Sequence, residues 1–479
     1  MKRALIAGAA VLFLTVPSAA QAFSPSDPFA PRQWYLVEDK AFDAFPDLPV
    51  LPPVRVAVID SGIDKSHPEL TRRVIAARSF VGGTANDLDG HGTFVAGEIA
   101  AAIDNGRGIA GLAPSARLIV AKVVRDDGSV STWAEAHAIR WAVRQRAKVI
   151  NVSLGGIRDP GDPTHNGYSW VEQRAVDYAT AQGALVVAAV GNGEGAPVKP
   201  WRHASYPAAL PHVLGVAAYG HAGNVPSFSN RDDVYVDLAT PGEDIFSLLP
   251  RTVTAKNPNC VEQGYSSCGP KEYRRGDGTS FSAPQAAAAA ATLFSLHPRL
   301  TPDQAETLLE RSADDATPAT GCDGCSPGRD ALTGFGELNV ASAIRTLRLG
   351  PVPKRDRLEP NDDVGFLAAP ITERKAHFRA TIDSWDDPMD VYRVKLQRGH
   401  RISVRIPWAT NIDVSLALWK PETHSLANAT DSQRAARSVH PPGMPEKLRY
   451  RATESGWYFI QVKLAKPGSG SYKIRIKHT

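Results

Sequence analysis

Apolar positions along this chain follow two rhythms. Between residues 54 and 349, short and nearly continuous apolar runs alternate with longer segments whose apolar residues recur every three to four positions. Val54-Arg55-Val56-Ala57-Val58-Ile59-Asp60, Arg117 to Val124, Lys148 to Ser153 and Ala184 to Val190 read as buried strands. Thr132 to Arg146 and Trp170 to Ala181 read as amphipathic helices, the second stopped by Gly183. Shorter apolar runs occur at Val213 to Ala218 and Val234 to Ala239. Thr301-Pro302-Asp303-Gln304 carries an N-cap, a Pro at the first helical position and a capping-box Gln. A last helix ends near Leu347. Strands and helices in this alternation predict an α/β domain with a mainly parallel sheet and right-handed crossovers. From Leu358 the period drops to two, as in Val391 to Leu396, Ser403 to Ile406, Gly456 to Val462 and Tyr472 to Ile476. That region, 358–479, predicts a small all-β sandwich.

The ends of the chain read differently. Lys2 and Arg3 precede an apolar run from Ala4 to about Val16, and Ala20-Gln21-Ala22 supplies a small-x-small cleavage site, so residues 1–22 read as a signal peptide. No later stretch approaches the ~18 apolar residues of a spanning helix. The mature protein is expected to be secreted, extracellular or periplasmic, with no transmembrane segment. Residues 23–53, rich in Pro and Asp around Trp34-Tyr35-Leu36, are too few for a domain and read as an arm lying against the adjoining α/β domain. Residues 350–357, opening Gly350-Pro351-Val352-Pro353, read as a linker.

Export changes the meaning of the four cysteines. Three pairings are open, and the two local ones, Cys260–Cys268 and Cys322–Cys325, are the expectation; a four-cysteine zinc site is the rival, disfavoured because exported cysteines oxidise. The net charge of +4 is uneven: from Pro351 onward 22 Lys and Arg face 14 Asp and Glu, and the rest of the chain carries an acidic surplus. A basic C-terminal part could touch an anionic surface, although a solvated face is the simpler reading. No nucleic-acid module is present.

Candidate chemistry sits at strand ends and helix starts. Asp60 closes the first strand, where open α/β sheets place their functional groups. An aspartic-protease reading of Asp60-Ser61-Gly62 would need a second Asp-Ser/Thr-Gly to share the proton, and none occurs. His91 opens a small-residue helix between Gly90 and Gly92. Ser280 lies in Gly278-Thr279-Ser280-Phe281-Ser282-Ala283-Pro284, a glycine turn entering an alanine-rich helix. Alone, Ser280 would read as a helix cap. Asp, His and Ser together, in that order on one α/β domain, fit a nucleophilic triad.

The full motifs resemble the subtilisin-like serine protease family over about residues 50 to 345. They are Val58 to Asp64, His91 to Gly97 and Gly278 to Pro284, with Gly111-Leu112-Ala113-Pro114, Asn151 to Gly156 and Ala189-Val190-Gly191-Asn192 as smaller matches. The resemblance implies a three-layer subtilisin-like domain with Ser280 as nucleophile, His91 as base, Asp60 orienting His91, and Asn192 as side-chain oxyanion donor. It places an extended protein or peptide substrate along Ser153, Leu154, Gly155 and Gly156, and Ser205 near the base of the first specificity pocket. It implies no required cofactor and no catalytic metal, although structural calcium is common in the family; the expected state is a monomer. The family often has His at Phe94 and Met at Phe281. It often carries a folded N-terminal inhibitor domain, which the short arm cannot be. In this the chain is similar to the mycosin branch without its membrane anchor, and removal of no large propeptide is expected. The region from Leu358-Glu359-Pro360-Asn361-Asp362-Asp363 onward resembles a bacterial pre-peptidase C-terminal domain. An alternative from another class is a retired protease fold that binds partners through the sandwich.

Overall fold

The computed structural model describes residues 22–162, 164–256, 272–350, 352–353 and 356–479. Seven strands form one parallel sheet: β1 (Val54–Asp60), β2 (Val74–Ser79), β3 (Ala116–Lys122), β4 (Val149–Val152), β5 (Leu185–Ala189), β6 (Val213–Tyr219) and β7 (Leu238–Pro241), in the spatial order β2-β3-β1-β4-β5-β6-β7. The apolar runs are continuous because helices cover both faces of the sheet. A single turn α1 (Tyr35–Glu38) lies in the arm. Helix α2 (His91–Ala100) and the later α6 share one face, while α3 (Thr132–Arg144) and α4 (Trp170–Ala181) share the other. Strands β8 (Ile245–Leu248) and β9 (Tyr273–Gly276) pair apart from the main sheet, and α5 (Arg251–Lys256) comes after β8. Helix α6 (Thr279–Leu296) crosses β4, β5 and β6, its alanines Ala286 to Ala291 fully buried. Methyl side chains let the helix axis come close to the sheet. Helices α7 (Pro302–Ser312) and α8 (Val340–Leu349) pack together; the Thr301 capping box is formed, with Gln304 N–H donating to Thr301 Oγ1 at 2.9 Å.

The expected strand at Val234 to Ala239 begins later, at Leu238. Asp232 Oδ1 accepts the backbone N–H groups of Val234 and Tyr235, so a side-chain turn holds those residues out of the sheet. The edge strand β2 and the pair β8–β9 were not readable as strands, since Val74–Ser79 is only half-buried and β8 meets its partner far along the chain.

The arm is integral to this core. Tyr35 is fully buried and its hydroxyl donates to the Phe246 carbonyl at 3.2 Å, while the Gln33 amide donates to and accepts from the backbone of Ala110, at 2.7 Å each. The C-terminal region stacks a five-stranded sheet on a four-stranded one. Its strands are β10 (Ala369–Pro370), β11 (Lys375–Asp383), β12 (Met389–Leu396), β13 (Arg401–Thr410), β14 (Val414–Trp419), β15 (Arg434–Ser438), β16 (Glu446–Arg451), β17 (Gly456–Leu464) and β18 (Ser469–His478). The orders are β10-β12-β17-β14-β15 and β11-β18-β13-β16, and Tyr392, Val404, Leu416, Ile460 and Ile474 fill the space between. No helix among the described residues is long and apolar enough to cross a membrane.

Candidate active site

Asp60, at the end of β1, is fully buried and faces His91 at the start of α2. His91 Nδ1 lies 2.8 Å from Asp60 Oδ1 and 3.0 Å from Oδ2, and the Ser61 N–H donates to Oδ1 at 2.6 Å. With Nδ1 donating to a carboxylate, the neutral ring presents its lone pair at Nε2. Burial pulls the imidazole pKa down, but the neighbouring Asp60 charge and hydrogen bond, with Asp89 and Asp87 behind them, outweigh it and raise the pKa to about 9.

Local packing forces this contact. A Cβ on Gly92 would stand 2.3 Å from the Gly62 carbonyl oxygen, so only glycine lets α2 begin against the turn after β1. Ser61 Oγ accepts the Gly92 N–H at 2.8 Å and donates to Asp87 Oδ1 at 2.9 Å. The buried Asp87 carboxylate also takes the Gly90 N–H at 2.8 Å, the Thr93 N–H at 2.9 Å and the Thr93 hydroxyl at 2.6 Å. It thereby satisfies donors that the helix start leaves open and sets a negative charge at the positive helix end. Sequence reading missed this role; an acidic residue just ahead of a helix start was the available signal.

Ser280 is the second residue of α6, and its hydroxyl donates to the Ser153 carbonyl at 3.1 Å. Thr279, beside it, donates its N–H at 2.9 Å and its hydroxyl at 2.8 Å to Asn192 Oδ1. The Asn192 amide is thus pinned through its oxygen, with Nδ2 left to donate elsewhere. The Phe281 ring lies 5.4 Å from the His91 ring, which puts the imidazole next to the residue after Ser280. Phe281 also meets Phe94 at 4.2 Å between ring centres. The two residues that depart from the family pattern therefore touch.

Ser153 comes directly after β4 and receives the Asn151 amide on its hydroxyl at 2.9 Å. Gly156 exchanges both backbone hydrogen bonds with Tyr206, at 2.8 and 2.9 Å, so the open edge of Ser153 to Gly156 narrows to Ser153, Leu154 and Gly155. Ser205 is buried behind Gly155 and Gly191, with its hydroxyl accepting from Asn230 Nδ2 at 3.2 Å. Cys322 and Cys325 are joined by a disulfide with their Cα atoms 5.4 Å apart. The expected Cys260–Cys268 pairing lies outside the described residues.

Carboxylates close enough together to hold a metal gather away from this centre, where the sandwich begins. Asp356, Glu359 and Asp390 form one group and Glu359, Asp362 and Asp387 a second, the carboxylate oxygens within each lying within 4.8 Å of one another. Asp387 is buried, and its Oδ1 has no hydrogen-bond partner. Burial first, then mutual repulsion, pushes Glu359 up to about 10 and Asp387 up to about 12. An all-oxygen, carboxylate-rich set with an orphaned buried oxygen fits a hard cation such as calcium.

Residues 53–336 match the sequence model of the subtilase family. The chain belongs to the subtilase family. Thermitase of Thermoactinomyces vulgaris is 37% identical over 237 residues, spanning 49% of this chain and 78% of thermitase. A subtilisin of Bacillus pumilus is 37% identical over 263 residues, spanning 54% and 83%. Among solved structures, a protease from Pseudoalteromonas arctica superposes with a TM-score of 0.53 at 25% identity, covering 68% of this chain and 100% of that one. This subtilase is accordingly a serine-type endopeptidase that acts on protein or peptide substrates. The family match ends ahead of the sandwich.

Proposed function

We propose that this subtilase is exported and cleaves peptide bonds through an acyl-enzyme on Ser280. The observation that carries the reading is the clamp of His91 Nδ1 on the buried Asp60 carboxylate, with Ser280 and the pinned Asn192 amide meeting at the start of α6. A substrate strand pairs with the edge from Ser153 to Gly155. Ser280 Oγ leaves its bond to Ser153, gives its proton to His91 Nε2 and attacks the scissile carbonyl carbon; Asp60 stabilises the imidazolium that forms. The oxyanion receives Asn192 Nδ2 and the Ser280 N–H, one of the first-turn donors with no partner inside the helix. His91 then protonates the leaving amine as the C–N bond breaks. Water, deprotonated by His91, releases the acyl group and restores Ser280. Ser205 acts from behind the Gly155 wall, shaping the first specificity pocket.

The carboxylates Asp356, Glu359, Asp362, Asp387 and Asp390 would hold structural calcium, which supplies positive charge to a packed acidic cluster and takes no part in the reaction. The signal peptide supports secretion, and the reading takes the enzyme as a monomer with no nucleic-acid partner.

The test is hydrolysis of denatured casein by the wild type and by Ser280→Ala. The variant is expected to unfold at the wild-type temperature and to lose about 10⁶-fold in kcat. A folded Ser280→Ala variant that digests casein at the wild-type rate would remove Ser280 from the mechanism.

A further inference from the structure

The outer face of the four-stranded sheet β11-β18-β13-β16 is a field of unpaired cations. Alternation turns Phe378, Ile474, Val404 and Leu448 inward and the residues between them outward. The strand register then lays the outward residues in rows. Lys375 stands opposite Lys477, whose other neighbour Ser403 faces Arg449. In the next row Arg475 stands opposite Arg405, which faces Lys447. The segments 375–379, 401–405, 447–451 and 473–477 contain no Asp or Glu. None of these Lys and Arg side chains makes an ion pair among the described residues; on the other side of the sandwich Lys420 is paired with Glu422 and Arg434 with Asp431, while Lys395, Arg437 and Lys463 stand singly rather than in facing rows.

Like charges directly opposite on adjacent strands destabilise a sheet, and no acidic side chain among the described residues pairs with the facing rows to offset that cost. Strands stand about 4.8 Å apart and alternate residues about 6.7 Å apart, so the cations form a closely spaced grid that can meet several acidic groups of one chain at once. At one end Arg401, Arg449, Arg451 and Lys477 border a hollow of about 750 Å³. At the other, Trp408 is 41% exposed, with the Arg379 guanidinium 5.0 Å and the Lys473 ammonium 5.4 Å from its ring centre.

We propose that this face is a binding site for an anionic polysaccharide. The grid takes the acidic groups, the hollow admits a chain, and Trp408 offers one aromatic surface for a sugar ring. Single-stranded nucleic acid fits less well, because successive bases stack on a series of aromatic platforms and the four strands expose one large aromatic ring, Trp408. A lipid surface would leave the hollow unfilled. The site is independent of the Ser280 chemistry.

The test uses the full chain, with heparin as the anionic polysaccharide and neutral dextran as its control. Wild type is expected to bind heparin, with affinity falling steeply as salt rises through counterion release, and not to bind dextran. The triple variant Arg405→Gln, Arg475→Gln, Lys477→Gln should bind heparin about tenfold more weakly or worse. It should unfold no earlier than wild type, because repulsion has been relieved, and should keep its peptidase activity. The triple variant Lys395→Gln, Arg437→Gln, Lys463→Gln removes the same charge from the other sheet and should bind as wild type. Equal loss in both variants would overturn the proposal in favour of unspecific charge attraction. So would tighter binding to anionic phospholipid vesicles or to DNA than to heparin.

Discussion

His91 holds its proton more firmly than a free imidazole because Asp60 lies 2.8 Å from Nδ1, and a protonated ring cannot accept the Ser280 proton. kcat/KM should therefore fall as pH drops through an apparent pKa between 6.5 and about 9, since water reaches 24% of the ring and screens Asp60. The same contact stabilises the fold fully below pH 6.5, and that contribution is lost as pH rises through about 9. Asp60→Asn should lower the acid-limb pKa and reduce kcat about 10⁴-fold, both read from a pH–rate profile. If Asn192 is the proposed oxyanion donor, Asn192→Ala should lower kcat by ~10²–10³ with KM little changed, because the oxyanion charge develops only in the transition state. Phe281 has no oxidisable sulfur, so activity should survive peroxide in wild type and be lost in Phe281→Met, with sulfoxide found at that position. Asp60, His91, Ser280 and Asn192 stood out in the sequence because glycines surround them at strand ends and helix starts, and the structure brings Asp60 to His91 and Asn192 to Thr279 beside Ser280. Asp87 and the Phe94–Phe281 contact did not stand out, because each depends on residues brought together only by the fold.

Helices α3 and α4 were legible from their apolar stripes, with α4 matching to the residue. Their stripes concealed two acids. Glu135 and Glu172 are almost fully buried between the helices, and burial raises both, Glu172 to about 7, with the facing Glu172 charge adding to the rise of Glu135. The folded state thus binds protons that the unfolded state releases near pH 4.5, so the fold loses stability as pH rises through about 7. Glu135→Gln keeps the shape without the charge. Denaturant unfolding at pH 6 and pH 8.5 should show wild type weaker at the higher pH and the variant less so, because the buried Glu172 still titrates near 7, while Glu135→Gln, Glu172→Gln together should be nearly level. A period of 3.6 reports which face is covered, and an acid within that face looks like a break in the pattern.

At the scale of the molecule, the sandwich was legible as alternating strands, but its attachment was not. His212 reaches from the peptidase domain between Asp303 of α7 and Asp363 of the sandwich, at 3.9 and 3.7 Å, and Gln304 donates to the Pro353 carbonyl at 3.0 Å. The acidic residues from Asp356 to Asp390 looked scattered in sequence, because their grouping requires β12 to return beside the linker. If they hold calcium, chelation should lower the unfolding temperature by several degrees, about 2–4 °C per kcal/mol of lost binding, and added calcium should restore it. Asp387→Asn should unfold later than chelated wild type and gain less from calcium, since it removes both a ligand and a repulsion. The central proposal is that the arrangement around α6 makes Ser280 a nucleophile, and it is the one to test first. The measurement is the mass of the peptide containing Ser280 after treatment of the folded protein with an organophosphorus fluoride. One covalent adduct on Ser280, absent in Ser280→Ala and slowed in His91→Ala, is the predicted result; a folded wild-type protein that remains unlabelled would contradict it.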